Sequence, residues 1–149
     1  MIWVLGIAAL AFALFEVYVQ TAGTDSIPGY ARSAGFPGGD LAVAVAIAYA
    51  ESSGISSKYN KEAQDVPGRY NRESADDGLG SYGLWQIYLA AHPEFSGQDL
   101  TDPQTNANAA FAIYQAAGNS FSPWTTYKTG AYIEQLSRSD VSPLIPPEE

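Results

Sequence analysis

Hydrophobic and polar positions divide the chain into a few clear segments. From Ile2 to Val19 the residues are apolar except for Gly6, Glu16 and the hydroxyl of Tyr18. As a helix this stretch is about 27 Å long, close to the thickness of a bilayer core. Trp3 and Tyr18 stand near its two ends as interfacial aromatics, and Glu16 lies about one turn from the polar boundary. The pattern predicts a transmembrane anchor over residues 1–20. A cleaved secretory signal is the competing reading, but no Lys or Arg precedes Arg32, and Gln20-Thr21-Ala22-Gly23 is a poor cleavage site. With so little positive charge nearby, the orientation in a membrane is left open.

Thr21 to Gly39 carries five Gly and two Pro, the composition of a linker. Asp40 is then followed by ten apolar or aromatic residues, Leu41 to Ala50, which read as an N-capped helix apolar all round and hence buried. The Ala-Val alternation also fits a strand; ten residues with five alanines favour the helix. Gly54 to Gly80 is long and polar, as loops that wall a cleft are. Leu84, Trp85, Ile87, Tyr88 and Ala91 recur at helical spacing and predict a second helix over 81–91, ended by Pro93. Asp102 as N-cap, Pro103 at the first helical position and Gly118 after the last turn bound a third. A last helix is expected from Pro123 or Gly130 to Arg138, and Ser142 to Glu149, with three Pro and two Glu, reads as a flexible tail over 141–149. The predicted fold is mostly α, one helical domain over 40–140.

Composition narrows the function. Sixteen acidic against seven basic side chains give a net charge of −9, which repels nucleic acid and anionic lipid head groups alike. Ten Tyr, six Phe and three Trp supply apolar surface for a core and rings on which an uncharged ligand could stack. The absence of Cys excludes thiol chemistry and disulfides, and the single histidine, His92, read as a loop residue, leaves no ordinary Ser-His triad.

Glu51 ends the buried helix. Ten apolar neighbours and the negative field of the helix C-terminus both favour its protonated form, as a general acid needs. The plainer reading is that Glu51 marks where the helix reaches water. In Ser81-Tyr82-Gly83-Leu84-Trp85-Gln86-Ile87, the Gln86 amide suits an acetamido sugar and Gly83 admits a chain closely, although the stretch also reads as an ordinary amphipathic helix.

Glu51-Ser52-Ser53, Gly83-Leu84-Trp85-Gln86-Ile87, Asp102-Pro103 with Asn106, and Trp124-Thr125-Thr126-Tyr127-Lys128-Thr129-Gly130 occur in this order. Together, over Leu41 to Tyr132, they resemble the lytic transglycosylase family, in particular the Slt-type, lysozyme-like domains of wall-remodelling enzymes and phage virions. The resemblance implies a peptidoglycan lytic transglycosylase that cleaves the MurNAc-GlcNAc β-1,4 bond and forms 1,6-anhydroMurNAc without metal or other cofactor. It implies Glu51 as the single catalytic acid and base. Ser81, Gly83 and Gln86 would line the sugar cleft, the last two within the family's Gly-Leu-Met-Gln-Ile, with Trp85 in place of Met. Tyr127 would match the tyrosine whose hydroxyl approaches the carboxyl, with Lys128 in place of the family's Asn. Asp102, Pro103 and Asn106 would be structural.

Two other functions fit the same residues. One is a lysozyme-type hydrolase, which needs a second carboxylate roughly 6.5 to 9.5 Å away for inversion or about 5 Å for retention. Glu62, Asp65, Glu73, Asp76 and Asp77 all lie in the polar loop and read first as solvated surface charge. The other is a non-catalytic wall-binding protein. The expected partners are a peptidoglycan glycan strand, the membrane through residues 1–20, and proteins of a virion or an envelope complex, with the domain facing the peptidoglycan and the virion as the preferred setting.

Overall fold

The computed structural model describes residues 25–60 and 80–148. The segment read as a membrane anchor and the acidic residues of the polar loop lie outside them. Among the described residues no helix is long and apolar enough to cross a membrane.

The segment read as a linker contains a helix, α1, Ile27–Ala34. Its start and stop follow from local chemistry. Ser26 Oγ accepts from the Gly29 N–H at 3.1 Å, Pro28 sits where no helical donor is lost, and Gly35 closes the helix at φ +114°. Counting Gly and Pro as linker composition missed that these residues are cap and stop signals. Phe36, just beyond, is buried against Phe111, Tyr114 and Phe121, with ring centroids 5.1 to 5.9 Å apart. The domain therefore begins before Asp40.

The second helix, α2, spans Gly38–Ser52 with Pro37 as its N-cap residue, so Asp40 lies in the first turn and is not the cap. The Asp40 carboxylate there faces the positive end of the helix and accepts a hydrogen bond from the Tyr114 phenol. An all-round apolar sequence produces all-round burial, and Leu41, Ala42 and Ala44 through Ala48 are each at most 3% exposed. Ser53, at φ 55°, ends the helix by donating its N–H to the Tyr49 carbonyl.

Residues 81–91 differ from the expected helix. Tyr59–Asn60 (β1), Ser81–Tyr82 (β2) and Ile87–Tyr88 (β3) form a small antiparallel sheet in the order β1-β2-β3. Gly83 and Gln86 both have positive φ, 75° and 47°, and turn the chain back between β2 and β3. Helical spacing of apolar residues here arises because Leu84, Trp85 and Ile87 all enter the core from a tight turn.

The third helix, α3, Pro103–Ala116, is capped by Asp102, whose carboxylate accepts from the Thr105 N–H at 2.8 Å. It packs on α1. In place of one last helix there is a single turn, α4, Thr125–Lys128, followed by 3-10 turns at Ile133–Ser137 and Ser142–Leu144. This C-terminal strap packs on α2, and Val141 and Leu144 are buried, so the stretch read as a tail is anchored through Leu144.

Candidate active site

Asn106 is the keystone beneath the site. It is fully buried; its Oδ1 accepts from the Trp85 N–H at 2.8 Å and its Nδ2 donates to the carbonyls of Tyr82 and Leu100 at 2.8 and 3.0 Å. One side chain thus ties the tight turn at Trp85 to the end of β2 and to the chain at Leu100, just before α3. Trp85 is locked further by its indole N–H, which donates to the Ala44 carbonyl of α2 at 2.9 Å. Its own carbonyl accepts from the Trp124 indole at 2.9 Å.

Glu51 occupies the last turn of α2 and is half-buried. Its Oε1 accepts from Thr126 Oγ1 at 2.8 Å, and its backbone carbonyl accepts from Lys58 Nζ at 2.7 Å. Ser52, beside it, turns inward and donates its hydroxyl to the Ala48 carbonyl, so its part in the motif is to finish the helix. Lys58 also joins the helix end to the sheet, because its carbonyl accepts from the Gly83 N–H at 2.8 Å and from Gln86 Nε2 at 3.2 Å.

A cleft of about 360 Å³ opens over Glu51, lined also by Ser81, Gln86, Tyr88, Trp124 and Thr125. Asn60, Ser81 and Tyr88 form one rung across the sheet and all line this cleft. Among the described residues Glu51 is the one carboxylate in its lining. Of the residues expected at a site, the structure brings Glu51, Ser81 and Gln86 together here. Gln86 donates both to Lys58 and, at 2.9 Å, to the Gly83 carbonyl, which holds the amide in place and leaves Oε1 as the acceptor to offer a ligand.

Two expected residues stand elsewhere. Gly83 is buried and absent from the lining, because its missing side chain makes room for Asn106 and the Leu100 carbonyl and not for a sugar. The ring of Tyr127 packs between Phe121 and Tyr132, at 5.7 and 5.1 Å, and does not line the cleft. The hydroxyl that meets Glu51 belongs to its neighbour, Thr126. Thr126, Asn60, Tyr88 and His92 were not singled out as site residues in the sequence, since only the fold brings them to Glu51 or its cleft. His92, read as a loop residue, lines the cleft and is held by Glu94 at 3.1 Å.

A larger concavity of about 560 Å³, between α1 and the strap, shares no lining residue with this cleft and contains none of the expected residues. Among the described residues no group of three or more His, Asp or Glu side chains is arranged to hold a metal ion.

A family model described as a lysozyme-like domain matches residues 29–126, roughly two thirds of the chain. The chain belongs to this lysozyme-like domain family. The match starts inside α1 and ends at Thr126, so it contains every residue that lines the cleft. No curated protein matches the chain, and no solved structure does. Membership in the lysozyme-like family points to cleavage of peptidoglycan as the activity. The cleft of this lysozyme-like domain has the elements such an activity needs: a half-buried carboxyl at a fixed place, amide and hydroxyl groups for sugar, and Tyr88 and Trp124 as aromatic walls.

Proposed function

We propose that this lysozyme-like domain is a peptidoglycan lytic transglycosylase that cleaves the MurNAc-GlcNAc β-1,4 bond with Glu51 as acid and then base. One observation carries the reading. Glu51 lines the cleft from the end of the most buried helix, and Thr126 Oγ1 donates to its carboxyl at 2.8 Å. A single carboxyl suffices when the sugar supplies its own nucleophile. Glu51 gives its proton to the bridging oxygen as the bond from C1 breaks, and the acetamido oxygen of the muramoyl residue closes on C1. Glu51, now a carboxylate, takes the proton of the 6-hydroxyl as that oxygen displaces the acetamido oxygen. The new end is 1,6-anhydroMurNAc, and the proton has returned to Glu51.

The same reading has residues 1–20 anchor the chain in a membrane, with the domain facing the wall, in a phage virion or a bacterial envelope apparatus. Loss of residues 1–20 then releases the chain from the membrane fraction.

The test is digestion of purified peptidoglycan by the chain and by its Glu51→Gln variant, with muropeptides identified by mass. Anhydromuramoyl ends, one water lighter than reducing ends and absent with the variant, support the proposal. Reducing ends in their place would make the chain a hydrolase of lysozyme type. Wall binding without products, from a folded chain, would favour the non-catalytic reading.

A further inference from the structure

A hydrogen-bonded path leaves α2 and returns to it. It starts at the Ala44 carbonyl, which accepts from Trp85 Nε1 at 2.9 Å. The Trp85 carbonyl accepts from Trp124 Nε1 at 2.9 Å. Trp124 is the residue from which α4 begins, and its carbonyl accepts from the Lys128 N–H at 3.2 Å, which ties the turn to it. Two residues on, Thr126 Oγ1 donates to Glu51 Oε1 at 2.8 Å. Ala44 and Glu51 are two turns apart on one helix, about 10.5 Å along its axis. The two indoles thus set the height at which the Thr126 hydroxyl meets the carboxyl.

Each indole has a single donor, and in both rings it is spent inside this path. Trp85 is 1% and Trp124 6% exposed, so water cannot take the place of either bond. A tryptophan kept for its bulk alone would need only an apolar pocket. Here the N–H of Trp124 reaches the backbone of a residue that is itself bonded to α2, so α4 is referenced to the helix that carries Glu51.

We propose that Trp124 is a positioning residue for Glu51, acting through Thr126: its indole N–H holds α4 at Trp85, which fixes the Thr126 hydroxyl against Oε1 and with it the rotation of the carboxyl. The proposal rests on Glu51 as the reacting carboxyl, but its test has a readout apart from cleavage. A donated hydrogen bond favours the ionised carboxyl, so losing it raises the midpoint at which Glu51 titrates. Among the described residues the titratable groups on Glu51's own helix and on the elements packed around it include Tyr49, Lys58, Tyr88, His92, Tyr127, Lys128, Tyr132, Glu134, Arg138 and Asp140, and none of them is changed in any variant. Differences between midpoints therefore report the Thr126 contact.

The experiment is a carboxyl-carbon NMR titration of the full chain carrying labelled glutamate, with Glu51 assigned from the Glu51→Gln spectrum. Thr126→Val is expected to raise the Glu51 midpoint, and Thr126→Ser to restore it. Trp124→Phe should raise it in the same direction, and the double variant no further than Thr126→Val alone, since both act on one contact. If Trp124→Phe does not fold, 3-benzothienylalanine at position 124 keeps the bicyclic shape and lacks the N–H. In cleavage assays both single variants should lose about tenfold in kcat with KM unchanged, in keeping with one lost bond to a charged group. An unchanged midpoint in a Trp124 variant with a lowered melting temperature, or additive shifts in the double variant, would overturn the proposal. Failure of every chain to cleave peptidoglycan would instead count against the transglycosylase reading, and the titration would still decide this one.

Discussion

Gly83 and Asn106 approach so closely that no side chain fits between them. A Cβ on Gly83 would stand 2.4 Å from Asn106 Nδ2 and 2.3 Å from the Leu100 carbonyl oxygen, at a φ of +75° that side-chain-bearing residues rarely adopt. Backbone strain of about 1 kcal/mol adds to the displacement of a buried network. Gly83→Ala should destabilise the fold by about 3 kcal/mol or more, read as a lowered melting temperature, with cleavage lost in proportion to unfolding. A stable Gly83→Ala chain with weakened sugar binding would mean that Gly83 serves the ligand after all.

Asn106 repays the same contact from the other side. Asn106→Leu keeps the volume but removes the three hydrogen bonds to the Trp85 N–H and to the Tyr82 and Leu100 carbonyls. At about 1 to 3 kcal/mol for each buried group, the loss should be about 3 kcal/mol or more in urea unfolding. Asn108→Leu, at an exposed position of the same helix, is the control and should change little.

Thr126 and Tyr127 are neighbours with opposite expectations. Tyr127→Phe removes a hydroxyl from a ring that packs on Phe121 and Tyr132 outside the cleft lining, and activity should stay within about twofold of the native chain. Thr126→Val removes the donor to Glu51 Oε1 and should cost about tenfold. Initial rates on peptidoglycan compare the two, and the reverse order would restore the role that the family resemblance gives Tyr127.

Burial, together with the hydrogen bond to Asp40, pushes the Tyr114 phenol up to about 12 from its ordinary 10.0. The folded chain therefore holds this proton more tightly than the unfolded one. The stability it contributes is present in full below about pH 10 and is lost as pH rises from there toward 12. In urea unfolding, the gap between the native chain and Tyr114→Phe should narrow across that window. A gap that stays constant from pH 9 to 12 would contradict the assignment.

The sequence was most legible where local chemistry alone decides structure. Asp102 and Pro103 start α3 as expected, because a cap and a proline act within one turn. Ten apolar residues before Glu51 gave both the buried helix and the carboxyl at its end. Around Gly83 the reading failed, because the turn is held by Asn106, more than twenty positions away, and helical spacing cannot report such a partner. Phe36 was hidden by composition: glycines and prolines on either side concealed an aromatic at the centre of the core. Thr126 stood inside the quoted motif beside Tyr127 but drew no role there, since a threonine gains its meaning only from the carboxyl that the fold sets beside it.

The central claim is that the sugar's own hydroxyl, and not water, completes the reaction begun by Glu51. Digestion of peptidoglycan in water enriched in heavy oxygen tests it most directly. The account predicts anhydromuramoyl ends that carry no label, formed by the native chain and slowed by about a hundredfold or more with Glu51→Gln. Newly formed muramoyl ends that carry the heavy oxygen would show that water attacks, and would contradict it.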